Sequence, residues 1–267
     1  MTMDEITRPN PVDVEQSFNQ FVIKIGGQLV TSRVSNQIVT DNADYCFENP
    51  SVIAELKCFQ KDLFNNDEDI LRLFSYFEKW KAKKLINEGD EFKLILGAKK
   101  LPNECWPDLL ASASKTIERA IHKGNKQIRE TKLFLNKPDA KGLLLLCNDG
   151  NYFIKNNMYL SLICDILLRK YHESEIDGFV YFTYNQTSRI PESELDWQLW
   201  FPGYRDSEDK ILSTFVNQMG SKFNDYFAES TGIPTTTHKK IDSLVQAKDI
   251  IDKMKYIPKE IIYNKKK

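Results

Sequence analysis

Hydrophobic and polar positions follow helical spacing in some parts of the chain and strand-like spacing in others. Apolar residues recur at helical spacing from Asp13 to about Ile25, and Gly26-Gly27 follows them. This pattern predicts a first helix that begins at Asp13, whose spacing to Gln16 resembles a capping box, and that ends at the glycine pair. The next stretch, residues 28–40, is rich in β-branched residues and predicts an extended segment.

Residues 43–59 have the pattern of a β-hairpin. The sequences ADYCF and SVIAELKCF are both strand-like, and the turn signal Glu-Asn-Pro at 48–50 lies between them. Because alternate side chains of a strand share a face, Glu55 and Lys57 are expected on one face, while Leu56 points to the other with apolar neighbours. Two opposite charges therefore share one face of a strand that is otherwise suited to the protein interior.

Residues 60–112 change in character. An amphipathic helix is predicted over 67–86, and a loop-rich stretch that contains the strand-like segment 91–96 follows it. One long helix is then predicted over 113–135, so we interpret 60–112 as an insertion.

The second half of the chain supplies the centre of the predicted sheet. The four leucines in 142–149 are typical of a strand that is buried on both faces. A helix is predicted over 156–172, a strand over 176–185, and a last pair of helices follows the aromatic run DWQLWFPGYRD at 196–206. That run favours a satellite core that closes the sheet, with base stacking as the alternative.

Together these elements predict an α/β protein with a central mixed β-sheet flanked by helices. We expect a single domain over residues 10–267, with its core in 13–59 and 113–185 and a helical insertion at 60–112.

Composition and charge narrow the functional classes. The chain has 267 residues, of which 41% are hydrophobic and 28% charged, and its formal net charge is −1, which excludes a generally basic nucleic-acid coat. No apolar run reaches the roughly 18 residues of a membrane span, and the amino terminus lacks the apolar core of a signal peptide. Five scattered cysteines form no CxxC pair and are typical of thiols in a reducing cytosol. We therefore expect a cytoplasmic protein without a membrane partner.

The hairpin also predicts a metal site. Asp44 lies in the first strand opposite Glu55, and two carboxylates in close proximity repel each other unless a cation lies between them. Hard oxygen ligands suit Mg²⁺ or Mn²⁺, and Lys57 on the same face can orient or deprotonate a metal-bound water.

Asp44, a ten-residue gap and then Glu55-Leu56-Lys57 resemble the PD-(D/E)XK signature of the restriction-endonuclease-like nucleases. The predicted order of a helix, three strands, a helix and a strand is also similar to the core of that superfamily. Ala43 stands where the signature has proline. The resemblance covers roughly residues 13–150.

The resemblance implies a divalent-metal-dependent nuclease with a restriction-endonuclease-like core and DNA favoured as the substrate over RNA. It implies that Asp44, Glu55 and the carbonyl of Leu56 bind the metal, and that Lys57 assists the attacking water. Glu15 in the first helix and Gln127 on the helix after the motif match further catalytic positions by place.

The resemblance also suggests nucleic-acid binding by Lys126 and Arg129 on the same helix as Gln127. A defence or repair role follows from the resemblance alone. The sequence leaves open whether the protein forms a homodimer.

Two alternatives remain for this segment. A nuclease fold without catalytic activity would bind nucleic acid or a protein partner, and a structural ion network would use the same three charges for stability. Two other E-x-K sequences do not fit the signature. The one at 91–93 lacks a facing aspartate, and the one at 130–132 lies on a predicted helix.

Overall fold

The computed structural model describes residues 12–33, 42–59, 67–95, 98–150, 156–185, 188–189, 196–231 and 255–256. Its α-helices are α1 (Val14–Lys24), α2 (Asp67–Ala82), α3 (Asp90–Ile95), α4 (Trp106–Phe134), α5 (Asn156–Lys170) and α6 (Lys210–Thr231). Its strands are β1 (Gln28–Leu29), β2 (Tyr45–Phe47), β3 (Val52–Phe59), β4 (Lys141–Asn148), β5 (Gly178–Thr183), β6 (Ser188–Arg189), β7 (Asp196–Trp197), β8 (Trp200–Tyr204) and β9 (Lys255–Tyr256). The predicted α/β class is confirmed.

Six of these strands form an open mixed sheet in the order β1-β2-β3-β4-β5-β8. The pairs β1–β2, β2–β3 and β5–β8 are antiparallel, whereas β3–β4 and β4–β5 are parallel. Strand β4 lies at the centre, and seven of its eight residues are buried, as its four leucines predict. The short strands β6, β7 and β9 form a separate three-stranded sheet.

Helices cover both faces of the larger sheet and create two hydrophobic cores. One core joins α1 and α6 to the face that carries Val52, Ala54 and Leu56. The other joins α4 and α5 to the opposite face, which carries Ile53 and Phe59. Glu55 and Lys57 share the alternation of this second set and therefore point towards α4.

Local sequence signals explain the first helix. Asp13 caps α1 by accepting a hydrogen bond from the backbone N–H of Gln16 at 2.9 Å. Gly26 ends the helix with a φ of 90°, a conformation that glycine adopts without steric strain. The predicted helix and its end are confirmed.

Helix α2 and the first turn of α4 share a small core, centred on Phe77, Trp80 and Leu109. The residues at 106–112, which we assigned to an insertion, belong to the same 29-residue helix as 113–134. Pro107 stands in the first turn of that helix, where proline is tolerated, so the helix begins at Trp106.

Two predictions about secondary structure are wrong. The strand-like segment that contains Glu91 and Lys93 lies on α3, where Lys81 of α2 pairs with Glu91 at 2.8 Å. Residues 30–33, predicted as extended, form a 3₁₀ helix after β1, and the last hydrogen bond to the neighbouring strand segment runs from the Val30 N–H to the Asp44 carbonyl at 2.9 Å. Residues 34–40 and the second helix of the predicted last pair lie outside the described residues.

The aromatic run after residue 195 completes the sheet and its core. Trp200 and Tyr204 belong to β8 and pack against the core that α6 covers. Within the described part of the chain, no helix has the length and apolar character needed to cross a bilayer.

Candidate active site

The hairpin of β2 and β3 brings Asp44 and Glu55 together. Tyr45 pairs with Ala54 in the antiparallel register, so Asp44, one residue earlier, comes opposite Glu55. The backbone N–H of Asp44 donates to Glu55 Oε2 at 3.1 Å, and Asp44 Oδ2 accepts the backbone N–H of Leu56 at 2.9 Å. Each carboxyl group is therefore held by the backbone of the other strand.

Lys57 extends the same site towards α4. Its ammonium group forms an ion pair with Glu55 and donates a hydrogen bond to Gln127 Oε1 at 2.8 Å. Gln127 Nε2 in turn donates to the carbonyl of Asn42 at 2.9 Å. We use the name carboxylate site for Asp44, Glu55, Lys57 and Gln127.

Burial raises the pKa of both carboxyl groups and so makes them weaker acids than usual. Glu55 is only 1% exposed, and burial, followed by repulsion from Asp44, raises the pKa of Glu55 to about 8 despite the opposing effect of Lys57. Burial also raises the pKa of Asp44 above its ordinary value. In metal-free protein at neutral pH the Glu55 carboxyl is therefore mainly protonated, and a bound cation would take the place of that proton.

The other predicted site residues lie around this centre at different depths. Glu15 is exposed on α1, and its charge is close enough to contribute to the raised pKa of Asp44. Lys126 and Arg129 are exposed on α4, and Arg129 pairs with Glu130 at 3.1 Å. The centre itself therefore brings together Asp44, Glu55, Lys57 and Gln127, whereas Glu15, Lys126 and Arg129 lie on the surrounding surface.

Three supporting residues were not identified from the sequence. Asn42 accepts the hydrogen bond from Gln127, and Thr131 Oγ1 accepts the N–H of Ala43 at 2.7 Å, so α4 is fastened to the chain just before Asp44. Gly124 lets α4 approach the sheet, because a Cβ there would lie 2.5 Å from Leu144 Cδ1. An isolated glycine inside a predicted helix was the available signal for this close packing.

The donor atoms suit a hard divalent cation. Two carboxyl groups and the backbone carbonyl of Leu56 are oxygen donors of the type that Mg²⁺ and Mn²⁺ prefer. The described residues contain no group of three or more histidine, cysteine, aspartate or glutamate side chains placed to hold a metal, so carbonyl and solvent oxygens would have to complete the shell. A bound cation would favour the ionised form of both carboxyl groups, whose pKa is raised mainly by burial.

Comparison of the chain with protein-family models, with curated proteins and with solved structures gives no match in any of the three.

Proposed function

We propose that this protein is a divalent-metal-dependent nuclease of the cytosol with a restriction-endonuclease-like core, and that DNA is its substrate. The observation that carries the proposal is the meeting of Asp44, Glu55 and Lys57 on one hairpin, with Glu55 buried, Asp44 half-buried and one ammonium beside them. The order of α1, β1–β3, α4 and β4 supports it, since the resemblance implies the same order of elements.

Each residue has a distinct role in this proposal. Asp44, Glu55 and the Leu56 carbonyl would hold Mg²⁺, which when bound activates water and neutralises charge on the scissile phosphate. Lys57 would orient the attacking water or take its proton, and Gln127 fixes the Lys57 ammonium group through the 2.8 Å hydrogen bond. Burial beneath α4 excludes bulk water from Glu55, which strengthens every charge interaction at the site.

Replacement of Glu55 tests the proposal directly. Wild-type protein is expected to cleave DNA in Mg²⁺ and to lose this activity in EDTA, whereas Glu55→Ala should reduce the rate by about 10³-fold or more. Gel assays on DNA and RNA of the same sequence measure both the rate and the preference. Calorimetry should show Mn²⁺ binding to the wild type and none to Glu55→Ala.

Glu91→Ala is a matched control, because Glu91 belongs to an E-x-K sequence that lies on a helix away from the hairpin. It should cleave like the wild type. Equal rates for Glu55→Ala and wild type would reject the site.

A second candidate is a nuclease-fold module without catalytic activity. The observation in its favour is that Lys57 pairs with Glu55 while Leu56 and Asp44 satisfy each other, so the groups at the hairpin already have partners without a metal. Under this alternative, neither Mg²⁺ nor Mn²⁺ binds to the wild type, and affinity for oligonucleotides survives Glu55→Ala.

A further inference from the structure

Helix α4 presents a line of basic side chains to solvent. Lys115, Arg119, Lys123 and Lys126 follow one another at intervals of four, four and three residues, and all four are exposed. Residues at these intervals lie on one side of a helix. The buried residues of α4, among them Gln127 and Ile128, face the sheet. We name the four exposed residues the basic stripe.

Most other basic residues of the described chain have acidic partners close by. Ion pairs join Lys24 to Glu229, Lys79 to Asp108, Lys99 to Asp90, Lys137 to Glu48, Lys141 to Asp209 and Lys170 to Glu118. In contrast, Lys115, Arg119 and Lys123 form no ion pair or hydrogen bond with any residue in the described ranges. On a protein with a net charge of −1, this makes a local concentration of positive charge.

The stripe lies beside the carboxylate site. Lys123 precedes Gln127 by four residues, about one helical turn, and Gln127 contacts Lys57. On the flank of α4 towards α5, Glu118 is occupied by Lys170. Lys115 and Lys126 are eleven residues apart, so the stripe is about 16 Å long at a rise of about 1.5 Å per residue. A straight row of this length complements a linear polyanion better than a single anionic group.

We propose that the basic stripe binds the phosphate backbone of DNA and guides it to the carboxylate site, an inference that rests on the proposed nuclease function but concerns binding alone. The contacts are electrostatic and sequence-independent, because side chains of this type neutralise phosphates and release counterions. The nucleic-acid contact expected of Lys126 thereby extends to three further basic residues of the same helix, Lys115, Arg119 and Lys123.

Salt-dependent binding tests the stripe without cleavage. A fluorescent 20-base-pair duplex is titrated with protein in EDTA at several salt concentrations, with fluorescence anisotropy as the readout. The triple variant Lys115→Gln, Arg119→Gln, Lys123→Gln should lower the slope of log affinity against log salt by about 3, or about 1 for each phosphate that the variant no longer neutralises. Because the assay contains EDTA, it measures binding in the absence of metal-dependent cleavage, which separates binding from catalysis.

The control is a triple variant with the same change in charge on the opposite face of the sheet, at Lys24, Lys210 and Lys222, all replaced by Gln. It should keep the wild-type slope. The inference is overturned if the α4 variant also keeps that slope, if both triple variants lose affinity equally, or if the wild type does not bind the duplex at low salt. Binding to vesicles with anionic lipid in place of the duplex would equally overturn it.

Discussion

Among the described residues, the region around Glu55 and the region around Lys132 both bury charged groups, and they differ in how those charges are balanced. In the carboxylate site, two carboxyl groups share the ammonium of Lys57. The second region lies near the first residues of β4 and β5, and we name it the balanced network; its members are Lys132, Glu175, Asp177 and Arg205. It contains two cations and two anions.

Hydrogen bonds reinforce this difference. Buried Lys132 contacts Glu175 at 2.8 Å and Asp177 at 3.8 Å, and the Asp177 carboxylate also accepts the N–H of Gly142 at 2.8 Å and pairs with Arg205. Because each charge has an opposite partner, a structural role is sufficient to explain the balanced network. In the carboxylate site, burial and repulsion instead raise the pKa of Glu55 to about 8, which lowers the stability of the metal-free protein at neutral pH.

Neutral isosteres should change the stability of the two regions in opposite directions. Asp177→Asn removes the carboxylate that pairs with Arg205 and lies 3.8 Å from buried Lys132, and it is expected to lower the free energy of unfolding by about 3 kcal/mol. In metal-free protein at pH 7, folded Glu55 takes up a proton that the unfolded chain releases, which lowers stability. Glu55→Gln avoids this cost and should therefore raise the free energy of unfolding by about 3 kcal/mol. Urea denaturation in EDTA measures both.

The sign for Glu55→Gln also separates a metal site from a structural ion network. A loss of several kcal/mol in that variant would mean that Glu55 serves stability as Asp177 does, and it would remove the main support for the nuclease proposal.

The pH dependence of stability sharpens the same comparison. The carboxyl of Glu55 has a pKa of about 8 when folded, against an ordinary value of 4.5. Between these values the unfolded chain releases this proton while the folded protein keeps it. Stability therefore falls as pH rises, by up to about 1.4 kcal/mol per pH unit from this group.

Wild type and Glu55→Gln should accordingly be equally stable near pH 4 and diverge towards pH 8 in EDTA. The thermal midpoints of the two proteins, followed across this range, would contradict the assignment if they ran parallel.

Two glycines provide the smallest test. Gly142 lies beside the balanced network and donates its N–H to Asp177. A Cβ at Gly142 would lie 1.9 Å from the backbone oxygen of Glu175, which cannot move aside easily. Gly142→Ala should therefore destabilise by about 3 kcal/mol. At Gly124 the nearest atom is the flexible end of Leu144, at 2.5 Å, and alanine is the better helix former.

Gly124→Ala should for these reasons change stability by no more than about 1 kcal/mol in thermal unfolding. Equal losses in the two variants would show that the helix above Glu55 packs as rigidly as the backbone around Gly142.

Patterning along the chain was sufficient for much of the fold. The period of apolar residues predicted α1, the long helix that carries Gln127, and the buried strand with four leucines, because each element buries one stripe or two faces. The alternation in residues 51–59 also predicted that Glu55 and Lys57 share a face. It was weakest in short segments such as 91–96, where a few strand-like residues predicted an extended segment and the structure has α3.

The sequence by itself determined that the two carboxyl groups meet, since strand periodicity and a turn signal place Asp44 opposite Glu55. Only the tertiary structure decided what these residues experience. Glu55 is buried beneath α4, Lys57 donates a hydrogen bond to Gln127, and Gln127 donates one to the Asn42 carbonyl. All of these contacts depend on positions that are far apart along the chain. Burial and long-range contact depend on how the elements pack, and the local pattern of side chains does not encode that packing.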